Sequence, residues 1–212
     1  MNGSSSRTNV GGGIGSGQAV ADPPVQADRE RAAIIRAAHR LIGRHGVATP
    51  IEDILRAAKV NRRTFYRHFP SKDALVLAMQ REAGELVEDG LRAAVDGSLS
   101  GRAAVVAWIE EFLTVGWDER RMREGRTFVA PEVGLVVGFA DALEEIYACH
   151  REVLAGALAR ARADGSLPGA MPERDAFAIH AVALRSVEMR ARGRLERPYE
   201  AVRDDIVGLF VR

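Results

Sequence analysis

From Asp28 to the end of this 212-residue chain, apolar residues return at three- and four-residue intervals and almost never alternate. That is the period of a helix buried along one face, and it constrains the fold more than any other feature. Ala, Arg, Leu and Glu are abundant, and Val and Ile fall at helical spacings. The pattern offers neither a convincing strand pair nor an internal repeat, so the expected fold class is all-α. No apolar run approaches the roughly 20 residues of a membrane-spanning helix, so no membrane partner and a cytoplasmic location are expected. The single cysteine, Cys149, cannot close an intrachain disulfide, which leaves the core to hold the fold. Residues 1–27 contain Gly11-Gly12-Gly13 and Pro23-Pro24 with no apolar period, and read as a flexible tail.

The overall charge of +1 hides an asymmetry. Between Asp28 and Gln80 stand eleven basic and five acidic residues, a net of +6, whereas the stretch from Arg81 onward carries a net of −5. A basic module attached to an acidic body suits a protein that attracts phosphates with one end only.

The first helix is expected from Asp28, with Ile34, Ile35, Ala38, Leu41, Ile42 and His45 along one face, and Gly46 stops it. Thr49-Pro50-Ile51-Glu52 suggests an N-cap at Thr49, Pro50 in the first turn and Glu52 reaching back as a capping box. A second, short helix buries Ile51, Ile54, Leu55 and Ala58 and ends at Lys59-Val60. Asn61 can then cap a third helix that starts at Arg62. Two short helices joined by so tight a turn form a helix-turn-helix, whose second helix enters the major groove. Phe65 and Phe69, four residues apart, anchor that helix inward and leave Arg62, Arg63, Thr64, Tyr66, Arg67 and His68 outside. Arg can pair with guanine O6 and N7, Thr can offer its methyl to thymine, and a Tyr hydroxyl can reach a phosphate. Ser71 caps the next helix with Lys72 in its first turn, a natural phosphate clamp.

At these residues the stretch from Ile34 to Leu75 resembles the DNA-binding domain of the tetracycline-repressor-like (TetR) family of bacterial transcriptional regulators. The resemblance rests on Ala38, Leu41, Gly46, Thr49, Ile54 and Val60. It is strongest in the run Thr64-Phe65-Tyr66-Arg67-His68-Phe69-Pro70-Ser71-Lys72-Asp73-Ala74-Leu75. It implies that Arg62, Arg63, Thr64 and His68 approach bases or adjoining phosphates of a double-stranded DNA operator, while Thr49, Tyr66 and Lys72 hold phosphates. The chain departs from the family at Lys59, where glycine is usual, and at Asn61, where a small hydroxyl residue is usual. If the backbone at Lys59 has a positive φ, the lysine bears about 1 kcal/mol of strain.

Further helices are expected at about 72–95, 101–117, 120–128, 131–163, 172–192 and 198–211, with Gly134 and Gly138 on one face of the fourth. The resemblance implies that the middle of this body encloses a small-molecule effector, for which Trp108, Phe112, Trp117, Phe128, Phe139 and Tyr147 would be aromatic walls, although each equally suits a hydrophobic core. It also implies that the last two helices pair with those of a second copy to make a homodimer, through Phe177, His180, Leu184, Val187, Ile206 and Phe210. The expected organisation is a tail at 1–27, a helix-turn-helix DNA-binding domain at 28–75 and a ligand-binding and dimerisation domain at 76–212. His150 and His180 lack metal-ligand spacing, and there is no catalytic triad pattern or phosphate-cradling glycine loop, so no metal, no cofactor and no enzyme activity are expected. The function implied is a repressor released by a small hydrophobic or aromatic ligand; an activator or an inducer-free regulator would use the same DNA contacts.

Overall fold

The computed structural model describes residues 23–125 and 131–212. Among them all regular structure is helical: α1 (Pro23–His45), α2 (Ile51–Ala58), α3 (Arg62–His68), α4 (Lys72–Asp96), α5 (Gly101–Trp117), α6 (Glu119–Gly125), a 3₁₀ turn (Pro131–Leu135), α7 (Phe139–Ala163), α8 (Pro172–Ala191) and α9 (Tyr199–Phe210). No helix among the described residues is long and apolar enough to cross a membrane. Most of the expected tail, residues 1–22, lies outside the described residues; the rest of it, from Pro23, already belongs to α1. Proline there suits a helix start, because its fixed φ is helical and the first N–H groups have no intrahelical partner.

Local chemistry shapes the turn between α2 and α3. Val60 N–H donates to Leu55 O at 3.1 Å and Lys59 N–H to Arg56 O at 3.3 Å, the paired bonds that close a helix through a left-handed residue. That residue is Lys59, at φ 58° and ψ 39°. Lys59→Gly is therefore expected to stabilise the protein by about 0.5 to 1 kcal/mol in a urea titration; an unchanged midpoint would show that the lysine bears no strain. Asn61 Oδ1 accepts from Thr64 N–H at 2.8 Å and caps α3 as expected. The capping box at α2 does not form. The helix starts one residue later, at Ile51, with Pro50 before it and no side-chain cap. Thr49 Oγ1 donates instead to Gly46 O at 2.8 Å, and Glu52 turns to Arg62.

Two hydrophobic cores share α4. The first joins Ile34, Ile35, Ala38 and Ile42 of α1 to Ile54 and Leu55 of α2, Phe65 and Phe69 at α3, and Leu75, Val76 and Met79 of α4. The second joins Leu91 and Val95 of α4 to α5, α7, α8 and α9 through residues such as Trp108, Ile109, Leu154, Leu158, Ile179 and Ile206. One helix thus runs continuously from the small N-terminal unit into the body. The single helix expected over 131–163 is broken at Gly138, whose φ of 79° is left-handed and open to glycine without cost. Gly134 lies in the 3₁₀ turn before it, so the two glycines do not share a helix face.

Candidate functional site

On α3, Phe65 and Phe69 are buried with their rings 5.7 Å apart, and this stripe sets which side chains point away. Arg62, Arg63, Tyr66 and Arg67 are exposed, and Thr64 is half-buried. Arg63 and the Tyr66 hydroxyl make no hydrogen bond or ion pair among the described residues, while the Tyr66 ring stands edge-on to Phe65 at 5.3 Å.

The neighbouring donors are engaged within the chain. Arg62 pairs with Glu52 of α2. Arg67 Nη2 lies 2.5 Å from Glu30 Oε2 of α1, and His68 Nε2 lies 3.1 Å from the same oxygen. These contacts, the His68 hydrogen bond foremost, hold the Glu30 carboxyl below the usual carboxylate range. Lys72 Nζ donates to Val47 O, and partial burial pulls its pKa down against the opposing pull of Asp73. Thr49 is only 3% exposed, with its hydroxyl built into the turn rather than offered to a phosphate. Of the seven residues singled out for DNA, the structure leaves Arg63, Thr64 and Tyr66 outward and unpaired through their side chains, ties Arg62, His68 and Lys72 to other groups, and buries Thr49. Each tie comes from a segment 10 to 38 residues away in sequence, beyond the reach of any local pattern.

In the body, Trp108 and Phe112 of α5 stack with ring centroids 4.9 Å apart, and His180 of α8 stands edge-on to Phe112 at 5.3 Å. Tyr147 and His150 of α7 complete the group, at 5.1 Å and 6.2 Å from His180. Trp108 Nε1–H donates to His150 O at 3.2 Å, and His150 Nε2–H donates to Gly84 O of α4 at 3.3 Å. With that proton placed on Nε2, Nδ1 of His150 is a bare acceptor. It is buried without a partner among the described residues, as is His180 Nε2. Burial drives both imidazoles toward the neutral form: the His180 pKa is pushed down to about 3, with His150 beside it adding to the effect, and His150 is lowered too.

Only three of the six aromatic residues expected in one wall meet here, namely Trp108, Phe112 and Tyr147. Trp117 packs edge-on to Tyr199 at 6.3 Å and donates to Arg197 O. Phe139 sits in the N-terminal core, because the left-handed turn at Gly138 starts α7 beside that unit rather than against α5. Phe128 lies outside the described residues. The two histidines were visible in the sequence as isolated residues, but their 30-residue separation gave no sign that they meet.

The expected pairing surface also needs correction. His180, Val187 and Ile206 are buried in the body's own core, since the inward stripe of α8 runs through Ala176, Ile179, His180, Ala183 and Val187. Leu184 and Phe210 are half-buried, and Phe177 is 63% exposed. The apolar residues α8 and α9 turn outward are Phe177, Val182 and Leu209. No group of three metal-ligating side chains occurs among the described residues.

Residues 34–79 match the sequence profile of bacterial regulatory proteins of the tetR family. No curated protein sequence matches the chain. Solved structures do. A regulatory protein of the tetR family from Rhodococcus RHA1 is 18% identical over 86% of this chain and 95% of its own, with a TM-score of 0.60. The transcriptional regulator FadR from Bacillus subtilis, solved with stearoyl-CoA, is 16% identical over 85% and 97%, with a TM-score of 0.67. AibR, solved with isovaleryl coenzyme A and operator DNA, is 18% identical over 86% and 98%, with a TM-score of 0.61. At such identities the likeness is one of fold, and it spans both the small N-terminal unit and the body. The chain carries the N-terminal domain of the tetR family of bacterial regulatory proteins, on a helical body with the fold of the solved regulators.

Proposed function

We propose that this protein is a homodimeric, sequence-specific DNA-binding transcriptional regulator of the cytoplasm, a repressor released from a pseudo-palindromic operator by a small hydrophobic or aromatic ligand. The observation that carries this reading is α3 itself: a short helix clamped by Phe65 and Phe69, turning Arg63, Thr64 and Tyr66 outward from the basic end of the chain. In the groove Arg63 and Thr64 read base edges. The Tyr66 hydroxyl and Lys72, at the Ser71-capped start of α4, hold phosphates; Lys72 exchanges its bond to Val47 O for one to an anion. The DNA-binding domain is taken as residues 28–75 and the body as 76–212, with α4 as the mechanical link. Phe177, Val182 and Leu209 are the outward apolar residues on which two copies would pair.

The effector belongs at Trp108, Phe112 and Tyr147, where flat apolar faces surround two imidazole nitrogens that lack partners. A ligand with an aromatic or aliphatic body and a hydrogen-bonding group suits that set. FadR and AibR, each solved with an acyl-coenzyme A, support a small-molecule effector in this fold. Because His150 is bonded to Gly84 O on α4, a ligand that displaces His150 also disturbs the helix carrying the DNA-binding domain.

The test is selection of bound sequences from a random duplex pool, followed by affinity measurements on the enriched sequence. A palindrome is expected, with affinity falling steeply as salt rises. Arg63→Ala should weaken operator binding by roughly 10- to 100-fold and Tyr66→Ala by less, both with unchanged melting temperature. No enrichment, or unchanged affinity in both variants, would sink the assignment of α3.

A further inference from the structure

Three arginines and a histidine on seven residues of α3 pose a problem that the reading above does not solve. A helix so basic would bind any duplex, because each freed cation that meets a phosphate releases counterions regardless of sequence. We propose that Glu30 of α1 is a specificity-determining positioning residue: it withholds Arg67 from the phosphate backbone and so weakens binding to random DNA relative to the operator. This rests on the reading of α3 as the DNA-contacting helix.

The geometry is specific. A single oxygen, Glu30 Oε2, takes both Arg67 Nη2 at 2.5 Å and His68 Nε2 at 3.1 Å, and Gln26 Nε2–H reaches the other oxygen at 3.3 Å. The Glu30 side chain is 19% exposed and that of His68 10%, so this carboxylate is set into the α1–α3 contact rather than floating in solvent. The α1 turn that carries it is anchored to α4 as well. The next residue, Arg31, pairs with Glu82 of α4 at 2.9 Å and lies over the Phe69 ring at 5.7 Å. The bonds from His68 and Gln26 hold the carboxylate in the α1–α3 contact, so Arg67 must leave it to reach a phosphate. Arg63, one turn earlier, has no acidic partner among the described residues and pays no such cost.

The experiment is duplex binding by the full-length protein across a salt series, using a random-sequence duplex and the selected operator. Glu30→Gln keeps the shape and the capacity to accept a hydrogen bond but removes the charge. It should tighten binding to the random duplex by about 8-fold at 0.1 M salt and steepen the slope of log affinity against log salt by about 0.9, the signature of one more phosphate contact. The operator should gain less, so the ratio of specific to random affinity falls. Adding Arg67→Gln to Glu30→Gln should return the slope to its original value, which a merely structural role for Glu30 would not do. An unchanged slope, or weaker binding to random duplex in a Glu30→Gln protein of normal melting temperature, overturns the proposal while leaving the reading of α3 intact. An unaltered protein that binds neither duplex in a salt-dependent way overturns both.

Discussion

Gly101→Ala is expected to destabilise the protein by about 3 kcal/mol or more, because the added methyl has nowhere to go. A Cβ at residue 101 would lie 2.1 Å from the backbone N of Ala161, 2.2 Å from its Cα and 2.6 Å from the carbonyl carbon of Arg160. These are main-chain atoms of α7, so no side-chain rotation relieves the clash and the two helices must separate. The crossing is bound tightly in other ways. Gly101 N–H donates to Asp164 Oδ2 at 2.7 Å and Arg102 N–H to Ser166 Oγ at 3.0 Å, while Arg160 Nη2 donates to the carbonyls of Val95, Ser98 and Ser100. Separation would loosen all of these and open the core around Val105 and Leu158. Urea unfolding measures the effect, and Gly156→Ala is the control. Gly156 lies exposed within α7 with nothing within 4 Å of its would-be Cβ, so there the methyl should stabilise by about 0.5 to 1 kcal/mol. A loss under about 1 kcal/mol at Gly101 would mean that the helices do not cross this closely.

Mild acid should weaken the body through its buried histidine pair. The His180 pKa is about 3 in the folded protein against an ordinary value of 6.5, owing first to burial and then to the nearby His150 and Arg151. His150 is lowered as well, again mainly by burial, although the Gly84 carbonyl and Glu88 favour its charged form. Between the two values the unfolded chain takes up the proton and the folded chain does not. The associated stability is therefore complete above about pH 6.5 and drains away as pH falls, by about 2 kcal/mol at pH 5. The carboxyls held low by hydrogen bonds and ion pairs, those of Glu30, Asp118, Asp164 and Asp205, lose stability in the same direction but only nearer pH 4. Unfolding midpoints at pH 7.5 and pH 5 isolate the histidines. His180→Phe, which keeps an aromatic ring against Phe112, should flatten much of the difference. Equal midpoints for the unaltered protein at the two pH values would contradict a neutral, buried pair.

How far the sequence reaches is clearest at α3. Its start at Asn61 and its buried pair Phe65 and Phe69 follow from interactions spanning five residues or fewer, and both are present in the structure. The end of α3 and the start of α4 show where that reach ends. Nothing within a few residues of Arg67, His68 or Lys72 announces that Glu30 or the Val47 carbonyl will take them.

The body repeats the lesson on a larger scale. Neighbouring residues encode the all-helical fold class, most helix limits to within a few residues, the basic N-terminal unit and the inward face of α3, because apolar periodicity and the Asn61 and Ser71 caps are local features. Long-range packing instead places Phe139 in the N-terminal core, brings His180 against His150 inside the body instead of on a pairing surface, and makes residue 101 a glycine where α5 crosses α7. Those outcomes depend on which apolar stripe lies against which. Many stripes of similar hydrophobicity compete for partners, and close packing of whole helices, rather than any short run of residues, selects among them.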